Sequence, residues 1–223
     1  MAPIIHTVNL RKVYAVGKER VIALNDVSIS IEKGEFCCIV GQSGSGKSTL
    51  LNQLAGLEKP TRGKVFIGSH EISAMTEDEL AKFRQAHLGF IFQSYNLLPT
   101  MTAAENVALP LMFKGISRSQ RLAMARALLH DTPIYLFDEA TSNVDAESEN
   151  DIMAAIRSLA GRKTVILISH RLANVVDSDC IYVLDKGRIA ERGTHAELLK
   201  KQGAYSRLYT AQKQLETLET EDA

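Results

Sequence analysis

The sequence predicts an α/β fold in which helices flank a mainly parallel β-sheet, with a small antiparallel β layer beside it. Short apolar runs rich in β-branched residues recur along the chain, a pattern typical of strands that are buried on both faces. Helical patterns separate many of these runs. A chain of 223 residues can bury a sizeable core, and no linker rich in Gly, Ser or Pro divides it. We therefore expect one domain.

Eight runs are predicted to be strands: IIHTVNL, VIALNDVSISI, EFCCIV, KVFI, LGFIF, PIYLF, KTVILIS and CIYVLD. The first two and KVFI are closely spaced and are assigned to the antiparallel layer. Helices are predicted over GKSTLLNQLAGL, QRLAMARALL and AESENDIMAAIRSLAG. Residues 185–187 read as a hairpin turn, Thr194 as a helix cap, and the polar end at 217–223 as a fraying tail.

Composition excludes several classes of protein. The chain has 26 basic and 26 acidic side chains, and a net charge of zero argues against a nucleic-acid partner. Two of the three cysteines lie in the apolar run FCCIV, where a small buried side chain is expected, and this fits a reducing compartment. No apolar run approaches the roughly 20 residues that cross a bilayer. The start MAPIIHTVNL lacks the pattern of a signal peptide. A membrane role therefore requires a separate partner.

Residues 41–48, GQSGSGKS, match the phosphate-loop pattern GxxxxGK[ST] between a predicted strand and a predicted helix. Glycines let backbone amides turn toward phosphate oxygens, and the helix N-terminus adds partial positive charge. In this pattern Lys47 reaches the β- and γ-phosphates and the Ser48 hydroxyl binds Mg²⁺. A chance match is the alternative, but the strand-loop-helix setting favours a P-loop NTPase.

Two further strand ends carry ionisable groups. The strand TPIYLFDEA ends in Asp138, which suits a partner of Mg²⁺, and Glu139, which could act as a general base on water. Alternatively, the acidic pair begins a solvated loop. His170 closes KTVILISH at a position where parallel sheets place ligands, although a lone histidine is more often structural.

Together these segments resemble the ATP-binding domain of ABC transporters over nearly the whole chain, with VYAVGKERVIALNDVSISIEKGE, FIFQSYNLLPTMTAAENV, LFDEATSNVDAES and ILISHRLANVVDSDC. The resemblance implies that Tyr14 stacks on adenine, although a solvent-facing strand aromatic is the alternative. It also implies that Gln93 senses Mg²⁺, that Asp145 contacts a second nucleotide domain and that His170 is the switch histidine. The implied ATP-binding residues of the loop are Gly41, Ser43, Gly44, Ser45, Gly46, Lys47, Ser48 and Thr49. The implied Mg²⁺ set is Ser48, Gln93 and Asp138.

The resemblance fails at one place. The family has a helical subdomain that ends in the signature LSGGQ, whereas here NVALPLMFKGISRSQ leads directly into RLAMARALL. Three missing helices of about 11 residues each would account for roughly 35 residues. In ISRSQ, Arg118 and Ser119 stand where the family has glycines. The first half resembles lipoprotein-releasing and macrolide-export ATPases and the second half resembles half-size exporter cassettes, so a recombined, engineered or deleted member is our hypothesis.

The expected function is an ATP-binding and hydrolysing subunit that uses Mg²⁺ and powers transport. A nucleotide-binding module with little hydrolysis is the alternative, because the signature is missing. The resemblance implies a transmembrane permease partner, a homodimer of nucleotide domains and a cytoplasmic position on the inner face of the membrane. The ABC-type domain is expected over 1–216, with the subdomain deleted near 115–120.

Overall fold

The computed structural model describes residues 3–92, 100, 132–139 and 146–221. Its strands, in chain order, are β1 (Ile5–Val16), β2 (Glu19–Val27), β3 (Ser30–Ile31), β4 (Phe36–Val40), β5 (Arg62–Ile67), β6 (His70–Glu71), β7 (Leu88–Ile91), β8 (Ile134–Asp138), β9 (Thr164–Ile168), β10 (Cys180–Asp185) and β11 (Arg188–Gly193). Its α-helices are α1 (Lys47–Leu54), α2 (Glu77–His87), α3 (Ala146–Arg157), α4 (His195–Lys201) and α5 (Ala204–Glu221). The predicted helix QRLAMARALL and the segment 115–120 lie outside the described residues.

The larger sheet has six strands in the order β11-β10-β4-β9-β8-β7. All neighbours in it are parallel except β11, which pairs with β10 in the opposite direction. Every residue of β4 and of β9 is buried, because helices and the second sheet cover the two faces. This confirms the mainly parallel sheet that the apolar runs predict.

The smaller sheet is antiparallel, with the order β2-β1-β5-β6 and with β3 beside β1. The predicted strand VIALNDVSISI is in fact two strands. After Val27 the chain leaves β2, and Thr7 N–H donates to Ile29 O at 3.0 Å, so that β3 pairs with the start of β1. A left-handed backbone at Asp26 (φ 59°) accompanies a bulge in β2 just before this bend.

The core consists of two clusters on opposite faces of the parallel sheet. Cys37 and Ile39 point into the cluster shared with the antiparallel sheet and α1, whereas Phe36, Cys38 and Val40 point toward α3, α4 and α5. This alternation along a single strand follows from the two-residue period of β structure. The strand that leads into the phosphate loop is therefore held from both sides.

Two helices differ from the expectation. Helix α2 is not predicted by the apolar pattern, although Thr76 and Glu79 form a capping box at its start. The tail at 217–223 is expected to fray, but α5 continues to Glu221 because Leu, Glu and Gln favour helix. Thr194 caps α4 as predicted, with a second capping box to Glu197.

The predicted turn between β10 and β11 is a two-residue hairpin loop. Lys186 (φ 47°) and Gly187 (φ 74°) both adopt left-handed conformations, which is the requirement of the turn type that matches strand twist. Gly187 N–H donates to Ser45 O at 2.9 Å, and Asn25 N–H donates to Gly187 O at 2.8 Å. The turn therefore joins the phosphate loop to β2.

The three cysteines are free and buried, as the sequence predicts. Cys37 and Cys180 are directly opposite each other on β4 and β10. None of the helices within the described residues is long and apolar enough to cross a membrane.

Candidate functional site

The site lies at the carboxyl ends of three neighbouring strands. The phosphate loop follows β4, His170 follows β9 and Glu139 follows β8, and β9 lies between the other two strands. Parallel strands bring such ends to one edge of the sheet, where α/β proteins bind ligands. The structure thus brings together residues that are far apart in the chain.

Close backbone contacts explain the glycines of the phosphate loop. A Cβ on Gly41 would lie 2.2 Å from Leu184 O, and a Cβ on Gly46 would lie 2.4 Å from Ala23 O. Gly46 also has φ 102°, a conformation that side-chain-bearing residues rarely adopt, and it caps the start of α1. The loop is therefore fitted between β10 on one side and β2 on the other.

Lys47 is the buried cation of the site. Its side chain is folded back over the loop, and Nζ donates to Gly41 O and to Gln42 O, each at 3.0 Å. The residue is only 5% exposed. Burial lowers the pKa of the Lys47 ammonium, while Glu139 and Asp138 act in the opposite direction. A buried ammonium that bonds only carbonyls gains a stronger partner when an anion enters the loop.

Ser48 and Asp138 form the second pair. Ser48 Oγ donates to Asp138 Oδ1 at 3.2 Å, which links the first turn of α1 to the end of β8. Burial raises the pKa of the Asp138 carboxyl, and the hydrogen bond from Ser48 and the charge of Lys47 oppose this rise. The pair brings a hydroxyl oxygen and a carboxylate oxygen together beside the phosphate loop.

Glu139 and His170 form the third pair. His170 Nε2 lies 2.5 Å from Glu139 Oε1 across the ends of β9 and β8. Glu139 is only 9% exposed and has a left-handed backbone (φ 49°), which is uncommon for a residue with a side chain. Its amide donates to Ile168 O at 3.1 Å. The strained backbone directs the carboxylate toward the histidine, and no local sequence pattern indicates this strain.

Lys47, Ser48, Glu139 and His170 border a cavity of about 380 Å³, and Asp138 reaches it only through Ser48. The lining from the phosphate loop and the strand ends consists of Ser43, Gly44, Gly46, Lys47, Ser48, Thr49, Glu139 and His170. Val21, Ile22 and Ala23 of β2 form the remaining wall. Sequence reasoning missed this wall, although Val21 and Ile22 are adjacent apolar residues that are both largely exposed. Gly41 and Ser45 lie behind the lining, and Gln93 and Asp145 lie outside the described residues.

Tyr14 lies beside the cavity and is not part of its lining. Its hydroxyl donates to Glu58 Oε2 at 2.5 Å, and Lys12 Nζ lies 5.1 Å from the centre of its ring. Burial and the bond to Glu58 raise the pKa of the Tyr14 phenol. Its predicted role on adenine remains a prediction.

The donor set fits Mg²⁺ together with phosphate oxygens. Within the described residues no cluster of three or more His, Cys, Asp or Glu side chains could hold a metal ion. Mg²⁺ is instead commonly bound by one or two protein oxygens plus substrate phosphates, and Ser48 with Asp138 supplies such a pair. Ser45 Oγ is buried within the loop and has no hydrogen-bond partner among the described residues.

Comparison with known proteins decides the family. The chain is 37% identical to an uncharacterized ABC transporter ATP-binding protein of Thermotoga maritima, and the match covers 85% of this chain and 94% of that protein. It belongs to the ATP-binding protein family of ABC transporters. The sequence model of the ABC transporter family matches residues 24–121. The predicted family is thereby confirmed, and with it an ATPase class that is coupled to transport.

Solved structures confirm the fold. The dimeric ATP-binding cassette MJ0796, in a post-hydrolysis state bound to ADP and Pi, is 33% identical with a TM-score of 0.77 and matches 85% of this chain and 98% of that one. A bacterial Atm1-family ABC exporter with ATP bound is 30% identical with a TM-score of 0.71, over 95% of this chain and 42% of that one. The predicted α/β cassette is therefore correct.

Two of the alignments leave part of the relative without a counterpart in this chain. A Salmonella choleraesuis macrolide export ATP-binding/permease protein is 34% identical over 91% of this ABC chain, but the match spans only 36% of that protein. The Thermotoga maritima alignment runs over 221 positions, while 85% of 223 residues is about 190. About 30 positions of that relative therefore face no residue of this chain.

Proposed function

We propose that this ABC chain binds Mg-ATP in the cavity at the strand ends and hydrolyses it to drive transport. The observation that carries the proposal is that three pairs of groups meet at the strand ends beside one cavity, with Lys47, Asp138 and Glu139 buried. Lys47 with the loop carbonyls, Ser48 with Asp138, and Glu139 with His170 are each already in contact. The family of ABC transporter ATP-binding proteins gives this arrangement a consistent substrate.

Phosphate binding rests on charge and on backbone shape. The loop and the start of α1 direct amides toward the cavity, and Lys47 exchanges two carbonyl partners for phosphate oxygens. The MJ0796 cassette, which is known with ADP and Pi bound, supports the same placement of a nucleotide here. Ser43, Gly44 and Thr49, which line the cavity, are the further contacts we assign to the phosphates.

Mg²⁺ is proposed to be held by Ser48 and Asp138. When bound, the ion neutralises charge on the phosphate oxygens and orients the terminal group. Asp138 is suited to this position because its burial disfavours an uncompensated negative charge, which a cation relieves. Gln93, outside the described residues, is the third ligand that we assign from the sequence.

Hydrolysis requires a base next to the terminal phosphate. Glu139 is nearly buried and faces the cavity, so its carboxylate can accept the proton of an attacking water. The imidazole N–H of His170 donates to Glu139 Oε1 and so orients the carboxylate. His170 itself is about half exposed and borders the cavity, which also makes it a contact for the terminal phosphate.

A second candidate function is a nucleotide-binding module with little turnover. Two observations favour it: Arg118 and Ser119 stand in place of signature glycines, and about 30 positions of a relative have no counterpart. A signature supplied by a second copy donates backbone amides to the terminal phosphate, and glycine permits their close approach. A chain without it would keep the binding half of the site and lose much of the transition-state stabilisation.

Partners and location depend on the proposed role. We assign a transmembrane permease partner, because a macrolide export relative combines ATP-binding and permease parts in one protein. We assign a second copy of the chain as the other partner, because the MJ0796 cassette is dimeric. These two assignments place the chain on the cytoplasmic face of the membrane as a peripheral subunit, and no role in nucleic-acid binding is proposed.

Calorimetry of Mg-ATP binding, run beside an assay of phosphate release, tests both candidates. Binding with turnover that rises more than linearly with protein concentration supports the hydrolysing dimer. Binding without turnover supports the module. Lys47→Ala should abolish binding, whereas Lys33→Gln, an exposed change outside the site, should leave it unchanged. Unaltered affinity in Lys47→Ala would refute the proposed site.

A further inference from the structure

Three arginines lie on three neighbouring strands of the antiparallel sheet, away from the nucleotide cavity. Arg20 is on β2, Arg11 on β1 and Arg62 on β5, in the spatial order β2-β1-β5. We refer to them as the arginine triad. Arg11 is directly opposite Arg62, and Arg20 is directly opposite Ala15.

Strand geometry places the triad on one face. Residues 11, 13 and 15 of β1 alternate with 12, 14 and 16, so Arg11, Val13 and Ala15 share a face. Residues directly opposite on neighbouring strands also share a face, which adds Arg62 and Arg20. The bulge between β1 and β5 lies before Arg11. The pairing of β1 with β2 shifts between Lys12 and Val13, but it is regular from Val13 to Val16, where Arg20 is paired, and the lining of one concavity includes all three arginines.

Basic side chains on the two faces of β1 differ in whether they contact a carboxylate. On the other face, Lys12 Nζ lies 3.3 Å from a carboxylate oxygen of Glu58. On the triad's face, no guanidinium has a hydrogen bond or an ion pair with any carboxylate of the described residues. Like charges directly opposite each other destabilise a sheet, so the pairing of Arg11 with Arg62 carries an energetic cost.

The triad borders a concavity of about 490 Å³, whose lining also includes Val13, Ala15 and Thr61. Thr61 is fixed at its rim, since its amide donates to Arg11 O at 2.8 Å and its Oγ1 accepts from Val13 N–H at 3.0 Å. With that oxygen accepting, the hydroxyl hydrogen is left to donate toward a ligand. The volume is in the range of small-molecule sites.

We propose that the arginine triad is a second anion site, which binds a soluble chain of two or three phosphate groups such as pyrophosphate or tripolyphosphate. Guanidinium groups bind phosphate oxygens bidentately, and three of them match the charge of such a chain. One end of the chain lies at Arg11 and Arg62 and the other extends along β1 toward Arg20. A single phosphate reaches only one end, so the site selects for length.

The site differs from the nucleotide cavity in chemistry as well as position. It has no phosphate loop, no helix N-terminus and no Mg²⁺ ligand among its lining residues. Its contacts are side chains on a sheet, so binding there needs neither Mg²⁺ nor a nucleoside. Binding of the anion removes the repulsion within the triad and should therefore stabilise the antiparallel sheet.

Calorimetry with sodium tripolyphosphate, without Mg²⁺, tests the proposal in a Lys47→Ala background, where loss of the Lys47 charge weakens phosphate binding at the loop. We expect one site per chain, with inorganic phosphate at least about tenfold weaker. Arg11→Gln combined with Arg62→Gln should raise the Kd for tripolyphosphate at least about tenfold. The matched control Lys33→Gln removes a positive charge from an exposed loop and should change the Kd by less than about twofold.

Thermal unfolding provides a second measurement. Tripolyphosphate should raise the Tm of the Lys47→Ala chain, and the rise should vanish in the double arginine variant. The variants change exposed or half-exposed side chains, and relief of repulsion should leave their own Tm equal or higher. No binding to the Lys47→Ala chain, or an equal loss of affinity in Lys33→Gln, would overturn the site.

A lipid headgroup could offer similar chemistry, so sedimentation with vesicles that contain anionic phospholipid completes the test. Binding of tripolyphosphate without triad-dependent sedimentation supports the proposal. Triad-dependent sedimentation in the absence of tripolyphosphate binding would refute it in favour of a membrane contact. All of these outcomes can be separated from ATP binding, because they are measured without nucleotide and depend on changes to the triad, which lies outside the phosphate loop.

Discussion

The two sheets of this ABC chain contribute to the nucleotide site in different ways. The parallel sheet supplies the reactive side chains, and it holds Lys47, Asp138 and Glu139 almost fully buried at its strand ends. The antiparallel sheet supplies surface: the Ala23 carbonyl lies behind Gly46, and Val21 and Ile22 form an exposed apolar wall. We therefore expect the first sheet to tolerate less change than the second, which contributes mainly shape.

The difference has a physical origin. Strands buried on both faces leave their polar groups only at their ends, so chemistry concentrates at one edge. A sheet with one solvated face can expose side chains along its whole length. Perturbations of the parallel edge should therefore be severe and specific, and those of the antiparallel layer should be modest.

The largest expected effect is on turnover. Glu139→Gln removes the proposed base while keeping its shape, so the rate of ATP hydrolysis should fall about 100-fold or more. Mg-ATP affinity should change little, because the phosphate contacts remain. Glu32→Gln, in an exposed loop, is the matched control and should keep the wild-type rate. Normal phosphate release by the Glu139→Gln variant would show that Glu139 is not the general base.

The next largest expected effect is a loss of stability when the contact between the phosphate loop and β2 is disturbed. Gly46→Ala places a methyl group 2.4 Å from Ala23 O at φ 102°, and urea unfolding should show a loss of about 2 to 5 kcal/mol. Gly44→Ala shares a positive φ (75°) but meets no atom within 4 Å, so its loss should be only about 1 kcal/mol. Equal losses would mean that contact between the sheets does not limit the loop.

Asp138 tests whether the parallel edge is organised for ligand binding at the expense of stability. Its raised pKa means that the folded chain holds the proton more tightly than the unfolded chain, so ionisation costs stability above the folded pKa. Asp138→Asn should therefore stabilise the nucleotide-free chain at neutral pH, while it weakens Mg-ATP binding.

The pH dependence of this stability difference follows from the raised pKa of Asp138 in the folded chain. The advantage of Asp138→Asn over wild type should shrink as the pH falls through the raised pKa, and it should vanish below the ordinary value of 3.8. Urea unfolding of both chains across this range measures it. A stability gap that widens in acid would show that the carboxylate is stabilised, contrary to the burial argument.

The smallest effect concerns the antiparallel layer. If Tyr14 stacks on adenine, Tyr14→Ala should weaken ATP binding several-fold, as expected for a stacking contact of about 1 kcal/mol, and Tyr14→Phe should not. Calorimetry with ATP measures both. Loss of ATP affinity in Ile22→Ser, with no loss in Tyr14→Ala, would mean that adenine contacts the apolar wall of β2 and not Tyr14. This result would sharpen the contrast between the two sheets.

The sequence predicted the parallel sheet more completely than the antiparallel layer. CIYVLD became β10 with both ends correct, because a fully buried strand has a continuous apolar pattern. The bend after Val27 was missed, since it depends on hydrogen bonds between Thr7 and Ile29, which are far apart in the sequence. Helix α2 was missed as well, although the sequence TEDE contains its capping box.

Within the site, too, features set by local motifs were predicted and features set by distant contacts were missed. The phosphate loop, Asp138, Glu139 and His170 were identified from local motifs; Lys47, Ser48, Glu139 and His170 line one cavity, and Asp138 contacts it through Ser48. The wall at Val21 and Ile22, the carbonyl behind Gly46 and the left-handed backbone of Glu139 depend on contacts between distant segments. No local pattern encodes them, so only the fold reveals them.

The hairpin turn at residues 186 and 187 has a consequence for the order in which the molecule is made. Because Gly187 donates to Ser45 and accepts from Asn25, the phosphate loop of the N-terminal half is completed by residues translated about 140 positions later. A ribosome-bound chain that has not yet released this turn therefore lacks one support of its nucleotide pocket. Capture of ATP should begin only after this turn has emerged from the ribosome.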